Sequence, residues 1–356
     1  MTEEPGEQDR GDGVESAAPR RRAAPTIYDI AHLAGVNPSS VSRALNQPGR
    51  MSAKTESRIH DAARRLNYRV NPMARALPTG RTNMIGLVIA DITNPVVFSI
   101  VRGAERAAAE RDYTLVLAES EESSDRELKV AERLLQSVDG LILATSRLDD
   151  SAVTRLAEAK PLVVVNRVVD NVPGVVADVS RGITEAVDLL ALFGHRSVAY
   201  LSGPERSWIS HARWRSIKER CDWSRMEVTA LPTASPTVEG GRGAAAAVRS
   251  SGCTAVIAYN DLIAIGLMRE LGMAGLQIPR DLSVVGFDDI FGSDFTVPPL
   301  TTIQMPLQRQ GARAVELILD ALKEDSAPRQ SESGDLLTHL VVRGSVGPPR
   351  SRSAPH

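Results

Sequence analysis

Cysteine, aromatic residues and long apolar runs are all scarce in this chain of 356 residues. Two cysteines, Cys221 and Cys253, cannot build the disulfide framework of a small secreted domain, and they suit a reducing cytoplasm. No run of eighteen apolar residues occurs, so no helix is expected to span a bilayer. The first 25 residues, MTEEPGEQDRGDGVESAAPRRRAAP, lack the apolar segment of a secretory signal and read as a disordered acidic extension. The six histidines form no HExxH pair, and there is no G-x-S-x-G elbow. Gly240-Gly241-Arg242-Gly243 lacks the strand-to-helix context of a phosphate cradle and reads as a loop. His195, in Phe193-Gly194-His195-Arg196, is placed at a helix end, where a histidine favours the dipole. No enzyme, cofactor or metal is therefore expected.

What is present begins at Thr26. The segment TIYDIAHLAGVNPSSVSRALN reads as two short helices joined by a tight turn. Thr26 and Asp29 have the spacing of a capping box, and Ile27, Ile30, Ala31 and Ala34 form one apolar stripe. Gly35 stands where a left-handed residue ends a helix. Asn37-Pro38 then supplies a strong N-cap and a preferred first helical residue. The second helix carries Ser39, Ser40, Ser42 and Arg43 outward and leaves Val41, Ala44 and Leu45 to pack. Hydroxyls and a guanidinium on an exposed first turn suit phosphates and base edges. A third helix is expected from Ser52, with Ile59, Ala62, Ala63 and Leu66 buried and Arg58, Arg64 and Arg65 wet. Asn71-Pro72 opens a further short run that Pro78 stops.

Charge supports a nucleic-acid partner. Residues 20–82 hold twelve Lys/Arg and three Asp/Glu, a net of +9, although the whole chain is −2 and the remainder therefore −11. A basic head on an acidic body is an electrostatic footprint for DNA. Arg20-Arg21-Arg22 is either a flexible arm on DNA or a solvated charge run.

From Met84 the pattern changes. β-Branched runs at 85–90, 114–118, 140–144, 162–165, 197–201, 255–258 and 282–285 do not alternate, as strands buried on both faces of a parallel sheet do not. Helical stretches separate them, at 97–111, 125–136 and 180–193 among others, which is a doubly wound α/β pattern long enough for two lobes.

YDIAHLAGVNPSSVSRALN, followed by SAKT, LNYRVNPMARAL and IGLVIADITNP, resembles the LacI/GalR family of bacterial regulators, and the likeness runs from about Thr26 to Gly347. It implies an α-helical helix-turn-helix DNA-binding head plus a periplasmic-binding-protein-like α/β core of two lobes with doubly wound parallel sheets. The expected domains are the head at 26–70, a hinge helix at 71–82, the core at 83–347 and a disordered tail at 348–356. The lobe boundary is implied near Asp178, with a return crossing at 300–305. The resemblance also makes His195 a structural residue.

Ser39, Ser40, Ser42 and Arg43 are the candidates for sequence readout, one recognition helix per half-site of a near-palindrome. Ser52, Lys54, Thr55 and Tyr68 are candidates for phosphate anchoring, and Thr26, Tyr28, Asn46 and Asn71 complete the DNA-contacting set. By resemblance Leu77 is a minor-groove wedge, with Ala74 and Arg75 in the same groove.

Ligands of such sheets sit beyond the carboxyl ends of strands, where Asp91, Asn94, Asn166, Arg167, Asn260, Asp261 and Asp288 follow apolar runs. The resemblance matches Arg213, Asn260 and Asp288 to effector-contacting positions and puts Asp91, Asn94 and Arg167 at the cleft. Asp261 and Asp288 are alternatively helix caps, and Arg167 alternatively a lobe–lobe salt bridge. With 4% aromatics, Phe98, Trp208 and Trp214 are the rings available to stack on a sugar, with Phe291 weaker.

Three departures from the family pattern stand out: Pro78 after the wedge leucine, Val179 after Asp178, and Ser216-Ile217 beside Arg213. The C-terminus has no leucine heptads, which favours a dimer. The implied function is a cytoplasmic repressor of carbohydrate genes, released from its operator by a sugar-like effector. Two rivals are a purine-like co-repressor that tightens DNA binding and a solute-binding protein that never meets DNA.

Overall fold

The structure, a computed structural model, describes residues 25–46, 51–68, 81–323 and 336–350. The extension through residue 24 with Arg20-Arg21-Arg22, the hinge residues Asn71, Ala74, Arg75, Leu77 and Pro78, and the tail from residue 351 lie outside the described residues. The chain divides into two compact units between residues 75 and 76.

Among the described residues, the first unit holds three helices, α1 (Ile27–Ala34), α2 (Pro38–Asn46) and α3 (Ala53–Arg65). The capping box forms: Thr26 N donates to Asp29 Oδ2 at 2.7 Å and Asp29 N to Thr26 Oγ1 at 3.4 Å. The Thr26 N–H and the Thr26 hydroxyl, which also donates to Asp29 Oδ2 at 2.7 Å, hold the Asp29 carboxyl below its ordinary pKa. Gly35 ends α1 at φ 61°, where a side chain would be strained. Ile30, Val41, Ala44, Ile59 and Ala62 bury the shared core. Arg58 is not purely a wet-face residue, because its Nη2 donates to the Ala34 carbonyl at the end of α1. One guanidinium thus satisfies an orphan helix carbonyl.

Among the described residues, the second unit holds two sheets. In the first lobe β1 (Met84–Ile89), β2 (Thr114–Glu119), β3 (Gly140–Ala144), β4 (Leu162–Val165) and β5 (Gly174–Val175) are all parallel, in the order β2-β1-β3-β4-β5. Helices α4 (Pro95–Ala109), α5 (Ser124–Leu135) and α6 (Asp150–Ala159) connect them. In the second lobe α7 (Ser180–Leu192), β6 (Ser197–Ser202), α8 (Trp208–Trp223), β7 (Glu227–Pro232), α9 (Val238–Ser251), β8 (Ala255–Ala258), α10 (Asp261–Met273), β9 (Ser283–Asp288) and β10 (Thr301–Gln304) follow in turn. The chain then returns to the first lobe as α11 (Leu307–Ala321), which packs on α4 and β4. Finally β11 (His339–Val341) joins β10 antiparallel, giving the order β11-β10-β9-β8-β6-β7.

Gly240-Gly241-Arg242-Gly243 is not a loop but the first turns of α9. A Cβ on Gly241 would lie 2.1 Å from the Ile263 carbonyl oxygen, and one on Gly266 2.0 Å from that of Val238. The glycines are there because α9 and α10 touch backbone to backbone, and that packing overrides their poor helix propensity. Nor is β2 buried on both faces: it is a sheet edge, with Thr114 and Leu117 exposed.

His195 is pinned rather than resting on a helix dipole. Its Nδ1 is 2.8 Å from Thr254 Oγ1, and its Nε2 lies 3.1 Å from Ser283 Oγ and 2.9 Å from the Gly347 carbonyl. Burial lowers its pKa, against the pull of that carbonyl. Cys221 and Cys253 are both free thiols.

Candidate functional site

The outer face of α2 exposes Ser39 and Arg43 and half-exposes Ser40 and Ser42, while Val41 and Ala44 face the core. The period of a nine-residue helix puts these groups on one side. At the start of α3, Lys54 is exposed; Ser52 Oγ accepts from Thr55 N at 3.4 Å and lies 2.9 Å from Thr55 Oγ1. The Ser52 hydroxyl therefore caps the helix, and the Thr55 hydroxyl bonds to it. Thr26 is likewise engaged in its capping box, Tyr28 is 69% exposed, and Tyr68 packs half-buried against the head core. Asn46 is the last residue of α2.

In the second unit the carboxyl ends of the strands face a cleft between the lobes. An outer compartment of about 590 Å³ is lined from the first lobe by Arg147, Asp149, Asp150, Arg155 and Arg167 among others, and from the second by Arg206, Trp208 and His211. An inner compartment of about 40 Å³ is lined by Asp91, Asn94, Glu122, Thr145, Arg147, Pro236 and Tyr259. Asp91 Oδ1 accepts from Thr93 N at 2.7 Å, which shapes the loop, and Asn94 Oδ1 caps α4 through Val96 N at 3.1 Å. Arg167 pairs with Asp150 and donates to the Leu148 carbonyl. Both Arg167 and Asp150 belong to the first lobe, so the lobe–lobe salt bridge does not form.

The other candidates stand deeper. Arg213 and Asp288 form a buried ion pair at 2.7 Å, with Arg213 also donating to the Tyr259 carbonyl and lying 3.7 Å over the Phe287 ring. Burial raises the Asp288 pKa while the guanidinium pulls it back down. Asp288 therefore caps no helix; it lines a separate opening of about 320 Å³ with Ser99, Gln304 and Gln308. Asn260 spends both ends of its amide inside the lobe, accepting from Ile263 N at 2.9 Å and donating to the Pro236 carbonyl at 2.8 Å. Asp261 is no cap either: it is fully buried, accepting from Ile290 N at 2.9 Å and Thr302 Oγ1 at 2.5 Å. Burial and the neighbouring Asp288 push its carboxyl well above the ordinary range. Asn166, buried, accepts from Gln310 Nε2 at 2.8 Å.

Of the rings, only Trp208 lines the outer compartment. Trp214 stacks on Tyr200 with centroids 5.8 Å apart, Phe291 meets Phe295 edge-on at 5.1 Å, and Phe98 is half-exposed on α4. Sequence reasoning missed Arg147, which lines both compartments. It follows β3, so the strand-end rule that selected Asp91 could have found it. Among the described residues no group of three or more His, Cys, Asp or Glu is placed to hold a metal, and no helix is long and apolar enough to cross a membrane.

A helix-turn-helix unit joined to a two-lobed α/β core with a cleft at its strand ends defines a DNA-binding regulator. Residues 26–71 match the "Bacterial regulatory proteins, lacI family" profile and residues 187–346 a periplasmic binding protein-like domain. The ribose operon repressor of Halalkalibacterium halodurans is 31% identical over 336 residues, 89% of this chain and 96% of that protein. The transcriptional repressor CytR of Escherichia coli K12 is 29% identical, over 92% and 98% of the two chains. The lac repressor dimer bound to operator and the anti-inducer ONPF superposes with a TM-score of 0.81 at 26% identity, covering 91% of this chain and all of that one. An Enterococcus faecium lacI-family regulator with bound ribose gives 0.66 at 29%, covering 75% of this chain and all of its own. The chain belongs to the lacI family and is a DNA-binding transcriptional repressor.

Proposed function

We propose that this repressor controls carbohydrate-metabolism genes in the cytoplasm, binds a palindromic operator as a homodimer, and is released by a small sugar-like effector held between the lobes. It catalyses no reaction. The observation that carries the effector reading is the cleft itself: guanidinium, carboxylate and hydroxyl groups surround a space with one tryptophan on its wall. Paired donors and acceptors with a ring to stack on suit a polyol, and both the ribose operon repressor and the ribose-bound regulator are relatives. Exposed Phe291, Phe295 and Val297 on one loop support a self-association surface.

In this reading residues 26–70 form the head, 71–82 the hinge and 83–347 the core. Ser39, Ser40, Ser42 and Arg43 read bases; Thr26, Tyr28, Asn46, Ser52, Lys54, Thr55, Tyr68 and Asn71 hold the backbone; Ala74, Arg75 and Leu77 enter the minor groove. Asp91, Asn94, Arg167 and Trp208 face the effector, Phe98 flanks it, and Arg213, Asn260 and Asp288 shape its floor.

The test is selection of genomic fragments by the purified protein at about 150 mM salt, alone and with a panel of sugars and purines. A palindrome recovered by the protein alone and lost with one sugar is expected. Recovery only on adding a ligand would overturn release in favour of co-repression, and fragments without a shared sequence would overturn specific operator binding.

A further inference from the structure

The two compartments of the cleft differ in size and lining, and they meet at one side chain. The inner one, at about 40 Å³, has room for a few waters at about 10–15 Å³ each and is too small for a sugar ring. The outer one, at about 590 Å³, lies within the ~300–1,000 Å³ range of sites that bury drug-sized ligands. Arg147 lines both. Its guanidinium is nearly buried, with 8% of the side chain exposed, and is held in place by Glu122 at 2.7 Å and the Thr145 carbonyl at 2.9 Å. Those bonds use Nε and Nη1 and leave Nη2 to donate elsewhere.

We infer that the effector is a disaccharide or longer glycoside lying across both compartments. The hydroxyl edge of one ring displaces the inner waters beside Asp91 and Asn94. Arg147 donates to oxygens near the glycosidic link, and the second ring lies on Trp208. Charge balance favours an uncharged ligand: Arg147 and Arg167 already face Glu122 and Asp150, so an anion would have to compete with built ion pairs. Arg155 and Arg206, which also line the outer compartment, form no such ion pair among the described residues, and a sugar phosphate therefore belongs in the test. This inference rests on the carbohydrate reading above and goes beyond it in the length of the ligand and in giving Arg147 a role.

The experiment is calorimetric titration of the full-length protein with ribose, glucose, galactose and fructose, with maltose, cellobiose, sucrose and melibiose, and with glucose 6-phosphate. At least one disaccharide should bind tenfold or more tighter than either of its constituent monosaccharides. Trp208→Ala should weaken that disaccharide about five- to tenfold and leave its constituent monosaccharides unchanged, with Trp208→Phe restoring most of the loss. Arg147→Gln should weaken it about tenfold or more. A monosaccharide that matches its disaccharide, or a Trp208→Ala loss equal for both, overturns the two-ring inference while leaving the carbohydrate reading standing. Glucose 6-phosphate binding tighter than every disaccharide overturns it in favour of an anion. If every sugar fails to bind, both readings fall together.

Discussion

Arg213→Met isolates the buried ion pair beneath the cleft. Both partners are almost sealed from water, with 4% and 6% of their side chains exposed. The methionine keeps much of the volume and some of the contact with Phe287, so the main change is chemical. Asp288 loses its counter-charge and the Tyr259 carbonyl loses a donor. Breaking one half of a buried pair in this way costs about 3–5 kcal/mol, a large share of the ~5–15 kcal/mol that holds a domain together. The loss should depend on pH. Burial already raises the Asp288 pKa, and without the guanidinium nothing nearby opposes that rise. The cost is then complete above the raised folded pKa and shrinks as acid neutralises the carboxyl in the folded protein. Removing the charge by mutation should have the same effect: Arg213→Met/Asp288→Asn should recover at least half of the loss, because asparagine tolerates the positive φ of 107° found there. Urea unfolding followed by circular dichroism at pH 7.5 and pH 5.5 measures all three variants. A single variant within about 1 kcal/mol of wild type, or a double variant no more stable than the single, would falsify the argument.

Three further outcomes are expected. Gly241→Ala forces α9 from α10 and should cost about 1–3 kcal/mol, whereas Gly243→Ala, with open space around its Cβ, should stabilise by about 0.5–1 kcal/mol; equal melting shifts would refute the close approach. Because burial holds His195 below its ordinary pKa, stability should be full above the unfolded value of about 6.5 and fall as pH drops below it, by up to ~1.4 kcal/mol per unit. His195→Gln should flatten that slope in urea midpoints between pH 5 and 7.5. On a selected operator, Arg43→Ala should cost about 1–3 kcal/mol and relax base preference at one position, while Lys54→Ala should weaken all sequences alike and reduce the salt slope by about 1; the reverse pattern would exchange their roles.

The head was legible almost residue by residue because its determinants are local. In α1 a cap, a three-to-four residue apolar period and a terminal glycine lie within a few positions of one another. The central strands were legible for a similar reason: burial on both faces leaves a run of aliphatic residues with nothing polar to interrupt it. The edge strand β7, with its exposed Glu227 and Thr229, and the two-residue β5 carry no such signature. The glycines of α9 misled because their reason lies on another helix. In the site, residue type was readable but partnership was not. Arg213 and Asp288 are 75 positions apart, and no local pattern announces that they pair. Arg147 follows β3, within reach of the strand-end rule, but its fixed position depends on Glu122, 25 positions away.

The cleft also limits what an effector can do. Arg147 and Arg167 stand on one lobe and Arg206, Trp208 and His211 on the other, so a ligand touching both sets binds best at one lobe spacing. It moves the protein toward that spacing only by the difference in its affinity for the two states, however tightly it binds either. A hundredfold release of operator needs about 2.7 kcal/mol of that difference. This is what one charge-assisted hydrogen bond and one ring contact supply together, at about 1.5–3 and 0.5–1.5 kcal/mol. The coupling is reciprocal: operator must weaken the effector by the same hundredfold. A sugar that binds the free and the operator-bound protein equally is therefore not the inducer, even if it fills the cleft.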